Sequence, residues 1–195
     1  MKKVFFVSFL VVGISANAQH FSIGLKAGTN ISNFTGTPSV ELTNKALVGF
    51  YGGAYLNFWL GKNFTFQPEA LISTQGAKFT EGSTSEKFNL TYVNVPVMFK
   101  YKTDGGFYVE AGPQVGFKLS ESVPEDQTAE EFAENLDLSL GAGLGFQSAM
   151  GLGVGARYLA GISKVGDFDA SDRPNFKNSV IQIGISYTLG GPKKK

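Results

Sequence analysis

The sequence has no cysteine and only one histidine, His20, among its 195 residues. Without cysteine there can be no disulfide, thiolate nucleophile or lipoprotein anchor, and a single histidine cannot supply a multi-histidine metal site. Charged residues make up only 17% of the chain, and the formal net charge is +1. This balance argues against nucleic-acid binding, while an apolar content of 43% argues against disorder.

Long apolar runs are also missing, since no stretch reaches the roughly 18 residues that a membrane-spanning helix needs. A shorter apolar run at residues 4–14 follows two lysines and precedes an A-x-A site at residues 16–18. This order predicts a cleavable signal peptide, residues 1–18, with Gln19 as the mature N-terminus. The alternative is an N-terminal membrane anchor, for which the run is too short. Cleavage leaves 15 basic and 16 acidic side chains.

From residue 20 onward, apolar and polar residues alternate with a period of two, which indicates β-strands. The last strand shows the pattern most clearly, because Ile181, Ile183 and Ile185 are separated by Gln182 and Gly184. The fourth strand is less regular at its start, and a β-bulge is expected there. We predict eight strands near residues 20–33, 46–60, 63–77, 87–102, 106–120, 136–147, 151–163 and 177–190.

The connections between strands alternate in length, and this predicts the topology. Tight links follow the second, fourth and sixth strands, whereas polar links of about 10 to 16 residues follow the odd-numbered ones. Short turns at one end, long loops at the other and an even strand count are typical of outer-membrane barrels. The predicted fold is all-β: an eight-stranded antiparallel up-and-down transmembrane β-barrel. The tight links are Gly61-Lys62, Thr103-Asp104-Gly105 and Ser148-Ala149-Met150.

A soluble lipocalin-like barrel has the same number of strands, but its apolar face points inward and its charged face outward. Here the polar faces carry only one or two charges per strand, too few for a solvated surface. Apolar faces toward lipid and polar faces toward a lumen fit the sequence better. Aromatic residues near the strand ends agree with interfacial girdles. They are Phe21, Phe58, Phe64, Phe99, Tyr101, Phe107, Phe117, Phe146 and Tyr187.

Seven ionisable residues fall on the inward faces. They are Lys26, Glu69, Lys100, Glu110, Lys118, Asp137 and Arg157. Four cations and three anions at membrane depth are costly unless paired, so we predict a structural charge network. An eight-stranded barrel is just wide enough for side chains to fill, and such a network would plug its lumen. A gate or ion path is the functional alternative.

Glycines are concentrated on the inward faces of the sixth and seventh strands. A hairpin centred on residue 149 would pair Gly145 with Gly153 and Gly143 with Gly155. The resulting strip without side chains would make room for Tyr51, Tyr55 and Arg157 across the barrel. Neither glycine run has the G-x-G-x-x-G spacing of a nucleotide-binding loop.

The external loops are where a binding function would lie. The third, residues 121–135, contains six acidic residues and no lysine or arginine, which suggests a site for cations or a basic partner. A merely solvated acidic loop is the alternative. The acidic residues are Glu121, Glu125, Asp126, Glu130, Glu131 and Glu134. In the fourth loop Asp167, Asp169, Ser171 and Asp172 loosely suggest calcium, but the glycine and glutamate of an EF-hand are missing, so no metal site is predicted.

Catalysis has little support, because an enzyme needs an acid, base or nucleophile cluster and the outer rim shows none. His20 adjoins the cleavage site and is expected to be a solvated terminal residue. We therefore expect no catalytic residue, no cofactor and no enzymatic activity.

The chain resembles the PorT-like "outer membrane protein beta-barrel domain" family at NFTFQPEAL (residues 63–71), STQG (73–76) and YVNVPVMFKY (92–101). The resemblance covers residues 19–190 and implies a small eight-stranded outer-membrane barrel. The founding member is tied to protein secretion and gliding machinery, and most members have no assigned activity. Family barrels often end on an aromatic residue that the insertion machinery reads. Here the last strand is followed by a basic tail, residues 191–195.

Three segments are thus expected: a signal peptide (1–18), a barrel domain (19–190) and a basic periplasmic tail (191–195). The first hypothesis is a non-enzymatic protein of a Gram-negative outer membrane that acts structurally or through its loops in adhesion, partner binding or secretion. Its expected partners are outer-membrane lipid, the barrel insertion machinery and an extracellular or secretion-system protein, not nucleic acid. The alternative is a narrow transport or small-ligand-binding barrel, and an outer-membrane enzyme is a third reading.

Overall fold

The computed structural model describes residues 21–35, 43–81, 84–122, 136–163 and 177–189. Within them the chain forms eight antiparallel strands, each paired with its sequence neighbours, and β8 closes on β1. The predicted eight-stranded barrel is confirmed. No helix in these five ranges is long and apolar enough to span a membrane. The strands are β1 (Phe21–Thr35), β2 (Thr43–Trp59), β3 (Phe64–Glu81), β4 (Thr84–Lys102), β5 (Phe107–Ser122), β6 (Leu136–Gln147), β7 (Leu152–Gly161) and β8 (Lys177–Leu189).

The strands are strongly tilted in the barrel wall. The row of paired residues that starts at Phe21 passes through all eight strands and returns to β1 at Ile31, ten residues farther along. With a rise of about 3.3 Å per residue and a strand spacing of about 4.8 Å, this stagger corresponds to a tilt of about 40°. A barrel of this size has an interior that side chains can fill completely.

The two faces of the wall differ in polarity, as the alternation predicts. Isoleucine, leucine, valine and phenylalanine side chains stand exposed on the outside, and most of the buried side chains inside are polar. Ile183 and Ile185 of β8 face outward, while Gln182 between them is buried. Since apolar groups outnumber polar ones on the outer face, the barrel is built for a lipid environment.

Aromatic rings form a girdle on the outer face near the turn end of the barrel. Phe21 lies 5.5 Å from Phe58, and Phe66 lies 5.5 Å from Phe99, measured between ring centroids. A further pair, Phe107 and Phe146, meets edge-on at 5.3 Å. Tilted and edge-on rings at these distances attract each other beyond their burial, so the girdle also ties neighbouring strands together.

The tight turns lie where the sequence predicts them. In the β4–β5 turn Thr103 N donates to Phe107 O at 2.8 Å, and in the β6–β7 turn Ser148 N donates to Leu152 O at 2.8 Å. Both turns close with a glycine at positive φ, Gly106 at 94° and Gly151 at 90°. A left-handed glycine as the third loop residue matches the right-handed twist of the strands.

The predicted register of β6 and β7 is wrong by two residues. Gly145 pairs with Gly155, and Gly143 pairs with Arg157, rather than with Gly153 and Gly155. The reason is the left-handed Gly151, which belongs to the turn and moves the centre of the hairpin beyond residue 149.

The bulge expected at the start of β4 is also misplaced. Thr91 pairs with Ser120 and Tyr92 pairs with Lys118, so the extra residue is Leu119 of β5. β4 itself keeps its alternation, because Leu90 and Tyr92 are both buried inside the barrel. Several strands also continue beyond their predicted ends on the loop side, and β3 and β4 remain paired as far as Glu81 and Thr84.

Candidate functional site

Five of the seven predicted lumen charges meet inside the barrel in what we call the ion cluster: Lys26, Glu69, Lys100, Glu110 and Arg157. They come from five different strands, β1, β3, β4, β5 and β7. Each side chain is at most 11% exposed. Charges this far from solvent are stable only when they are paired and hydrogen-bonded.

Arg157 is the centre of the ion cluster. Its Nη1 and Nη2 donate to Glu69 at 3.0 Å and 2.7 Å, and its Nε donates to Glu110 Oε1 at 2.8 Å. Nη2 is also 2.7 Å from the same Glu110 oxygen. A planar guanidinium with five donors can serve two carboxylates at once, which a lysine ammonium cannot do in this fixed geometry.

The two lysines bind the outer sides of the same carboxylates. Lys26 Nζ is 3.0 Å from Glu69 Oε1 and 3.3 Å from Oε2. Lys100 Nζ is 3.5 Å from Glu110 Oε2 and lies 4.1 Å from the centre of the Tyr108 ring. The cluster is therefore a chain of alternating charge: lysine, glutamate, arginine, glutamate, lysine.

The other two predicted members, Lys118 and Asp137, lie at a different level, nearer the loop end. Asp137 is six residues along β6 from Gly143, the residue that pairs with both Glu110 and Arg157. Its Oδ1 accepts a hydrogen bond of 3.3 Å from Asn178. Lys118 pairs with Tyr92, eight residues along β4 from Lys100. The structure thus assembles five of the seven residues and separates two.

A second polar group, the amide chain, lies above the ion cluster toward the loops: Gln182, Asn30, Ser73 and Gln75. Gln182 donates to Asn30 Oδ1 at 3.1 Å, and Asn30 donates to Ser73 Oγ at 2.8 Å. Asn30 Nδ2 also reaches Thr74 O at 3.0 Å, beside the irregular β2–β3 pairing between Ala46 and Tyr51. Asn30 therefore supplies a hydrogen bond where the backbone ladder is interrupted.

The lumen is less uniformly polar than predicted. Toward the loops it contains an apolar group with each side chain at most 2% exposed: Leu71, Leu90, Tyr92, Leu159 and Val180. The sequence indicated this group, since these residues occupy the same alternating positions in their strands as the inward-facing polar residues. Leu90 and Tyr92 account for the irregular start of the fourth strand, where a bulge is expected from the sequence, and they fill the lumen instead.

The turn end of the lumen is closed by another set of polar contacts. Tyr55 Oη lies 2.7 Å from Thr188 Oγ1, and Gln147 donates to the same hydroxyl. Lys102 Nζ donates to Gln147 Oε1 at 3.1 Å and lies 5.1 Å from the centre of the Trp59 ring. Side chains therefore cross the lumen at the turn end as well as at its middle.

Inward-facing glycines make room for three tyrosine rings, although not in the predicted arrangement. A Cβ atom at Gly24 would overlap the Tyr55 ring, and one at Gly184 would overlap the Tyr51 hydroxyl. The β6–β7 strip accommodates Tyr108, since a Cβ at Gly155 would overlap its hydroxyl. Tyr51 and Tyr55 instead lie on glycines of β1, the strand next to their own, and Tyr51 reaches as far as Gly184 of β8. The glycines thus serve packing, as expected, but Tyr108 was missed.

A cavity of about 10 Å³ adjoins the ion cluster, beside Lys26, Tyr51, Tyr108 and Arg157. A volume of this size holds about one water molecule. The described residues contain no group of three or more His, Asp or Glu side chains that could hold a metal ion.

The remaining predictions concern the loops and the termini. His20, the signal peptide, the basic tail and the fourth-loop aspartates lie outside the described residues, as do Glu125, Asp126, Glu130, Glu131 and Glu134. Glu121 lies at the end of β5, where it pairs with Leu90.

The sequence pattern of the family described as "Outer membrane protein beta-barrel domain" matches residues 17–167. The chain belongs to this family. The match is to the family as a whole and not to its PorT-like members in particular. No curated protein matches the sequence.

Several solved outer-membrane barrels share the fold at low sequence identity. OprG from Pseudomonas aeruginosa is 10% identical with a TM-score of 0.53, covering 89% of this chain and 98% of that one. Neisserial surface protein A is 14% identical with a TM-score of 0.51, covering 86% and 97%. Ail of Yersinia pestis, in complex with the heparin analogue sucrose octasulfate, is 16% identical with a TM-score of 0.52, covering 87% and 99%. These likenesses support the eight-stranded outer-membrane barrel fold and no particular activity.

Proposed function

We propose that this outer-membrane barrel has a sealed lumen and acts structurally or through its extracellular loops, in adhesion, partner binding or an accessory role in secretion. It is exported by a signal peptide, residues 1–18, and inserted into the outer membrane of a Gram-negative bacterium. Residues 191–195 form a basic tail in the periplasm. Secretion is included because the sequence resembles PorT-like proteins, whose founding member is tied to protein secretion.

The observation that carries this proposal is the buried ion cluster. Its oppositely charged side chains pair with one another across the lumen, and the neighbouring cavity has room for about one water molecule. The amide chain and the apolar group above it, and the Tyr55–Thr188–Gln147 contacts below it, add further layers of side chains. A solute would have to break several buried contacts to cross, so the lumen acts as a scaffold rather than a path.

A non-enzymatic role is the simplest reading of the same arrangement. Both glutamates are bound by cations within the barrel and are not free to act on a substrate. Any activity is therefore expected to come from the surface that the loops present.

The composition of the third loop suggests the class of partner. Six acidic residues and no basic residue between positions 121 and 135 would attract a cationic surface and repel a polyanion. Ail was crystallised with a heparin analogue, which is a polyanion. We therefore propose a basic partner for this loop, and a ligand preference opposite in charge to that complex.

Pull-down of the full-length protein from solubilised outer membranes tests the proposed binding role. The matched variants replace the six third-loop acids by Gln or Asn, or replace Asp167, Asp169 and Asp172 of the fourth loop by Asn. A partner retained by the wild type and the fourth-loop variant, but lost by the third-loop variant, is the expected result. Equal capture by all three proteins would contradict a role for the acidic loop.

Narrow transport remains the second candidate, and one observation favours it. Several buried polar atoms, including Gln67 Oε1 and Gln114 Oε1, have no hydrogen-bond partner among the residues that the structure describes. Such atoms are often satisfied by internal water, and a continuous line of water could carry small ions. Electrical conductance separates the two functions.

A further inference from the structure

The cavity beside the ion cluster has an unusual lining for a sealed lumen. Lys26 and Arg157 face it, together with the phenol rings of Tyr51 and Tyr108. Gly155 and Gly184 line it as well, and their lack of side chains makes room for the hydroxyls of Tyr108 and Tyr51 beside the cavity. The glycines therefore place both hydroxyls at the cavity.

The charge of the ion cluster does not balance. Lys26, Lys100 and Arg157 contribute three positive charges, and Glu69 and Glu110 contribute two negative ones. Among the described residues, the next carboxylate on the inward face, Asp137, lies at the loop end and is bound to Asn178. An uncompensated charge in a region of low dielectric is costly, so a counter-ion at this level would stabilise the fold.

The hydrogen-bonding groups around the cavity also favour an anion. The hydroxyls of Tyr51 and Tyr108 and the ammonium group of Lys26 can donate hydrogen bonds into the cavity that they line. Glu110 also lines it and opposes an anion, but both Arg157 and Lys100 are bound to that carboxylate.

We propose that the cavity binds one small monovalent anion of the halide class. Lys26 and Arg157 supply the charge, and the hydroxyls of Tyr51 and Tyr108 supply hydrogen bonds. A chloride ion is only modestly larger than a water molecule, so the cavity admits it with small side-chain shifts. Large organic anions such as gluconate are excluded by size. The site is independent of any loop partner, and its failure would leave the sealed lumen unaffected.

Crystals of the full-length barrel grown in bromide test the site directly. Anomalous scattering at the bromine edge is expected to show a peak between Lys26, Tyr51 and Tyr108. An ordered water without anomalous signal, or bromide bound only elsewhere, would overturn the proposal.

Unfolding of the barrel in chloride and in gluconate, at equal ionic strength, gives a second readout. Each tenfold rise of free chloride above its Kd is expected to raise the folding equilibrium constant about tenfold, while gluconate has no such effect. Lys100→Met leaves two cations and two anions and does not alter the cavity lining, so it should remove the chloride dependence. Lys62→Met, on the exposed turn surface, should retain it.

Two results of the unfolding experiment would contradict the proposal. If the wild-type barrel has the same stability in chloride and in gluconate, the cluster balances its charge without an anion, for example by loss of a lysine proton. If Lys100→Met keeps the full chloride dependence, the excess charge is not the cause of binding. Either result refutes the proposed site.

Discussion

Arg157 and Glu69 form a two-point ion pair across the lumen, with Nη1 to Oε2 at 3.0 Å and Nη2 to Oε1 at 2.7 Å. The two residues are 88 positions apart in the sequence and lie on β7 and β3. Only closure of the barrel brings them together, so their contact links the folding of its two halves.

Replacing Arg157 by methionine should destabilise the barrel strongly. The substitution leaves two buried carboxylates with only one lysine each, and breaking a buried ion pair typically costs about 3–5 kcal/mol. The free energy of unfolding in urea, measured on barrels refolded in detergent, checks this. Lys62→Met breaks the exposed Lys62–Asp104 pair and should cause almost no change.

A variant without any of the five charges distinguishes charge from packing. If Arg157→Met is combined with Lys26→Met, Lys100→Met, Glu69→Gln and Glu110→Gln, no unpaired buried charge remains and much of the lost stability should return. An unchanged loss would show that Arg157 acts mainly by filling space.

Asn30→Ala should lower the free energy of unfolding by about 1–3 kcal/mol, because the Thr74 carbonyl and the Ser73 and Gln182 side chains lose their common partner. Amide hydrogen exchange should accelerate in β2 and β3 around the interrupted pairing. Thr29→Ala, at the neighbouring position on the opposite face, is the matched control. Equal exchange rates in both variants would contradict the bridging role of Asn30.

Gly24→Ala should destabilise the barrel by about 1–3 kcal/mol, since the new methyl group would overlap the Tyr55 ring. Gly52→Ala is the control, because a Cβ there meets its nearest atom at 3.8 Å. Adding Tyr55→Ala to Gly24→Ala should cost less than the sum of the two single changes. Strict additivity would indicate that the glycine is needed for another reason.

The contact of the outer face with lipid can be tested by placing a charged residue at two different depths in the membrane. Ile183→Lys places a charge well inside the apolar band and should cost about 2–4 kcal/mol, whereas Tyr187→Lys, nearer the girdle, should cost about 0–1 kcal/mol. The measurement is unfolding free energy in phospholipid vesicles. Similar small costs at both positions would indicate a water-facing surface.

Much of the fold could be predicted from the sequence because one face of every strand meets lipid. A period-two pattern such as that of Ile181, Ile183 and Ile185 fixes strand direction and face, and alternating link lengths fix the topology. Register is harder, since it depends on turn geometry. The positive φ of Gly151 shifts the β6–β7 register by two residues from the predicted one. The sequence alone does not show which glycine takes that conformation.

The site was predictable only in part for a related reason. Parity identified the inward-facing charges, but their level along the axis depends on the ten-residue stagger of the whole barrel. That stagger places Arg157 within reach of Glu69 and Glu110 and leaves Asp137 near the loops. Tyr108 and the apolar group were missed because a lumen of this width accepts any side chain that fills it.

Conductance of the purified full-length protein in planar lipid bilayers tests the sealed lumen most directly. Insertion should first be verified by the heat-dependent gel mobility of the folded barrel. We predict a flat current without unitary steps over the ordinary voltage range, both for the wild type and for Lys62→Met. Reproducible unitary currents from the wild-type barrel would contradict the sealed lumen and favour the transport alternative.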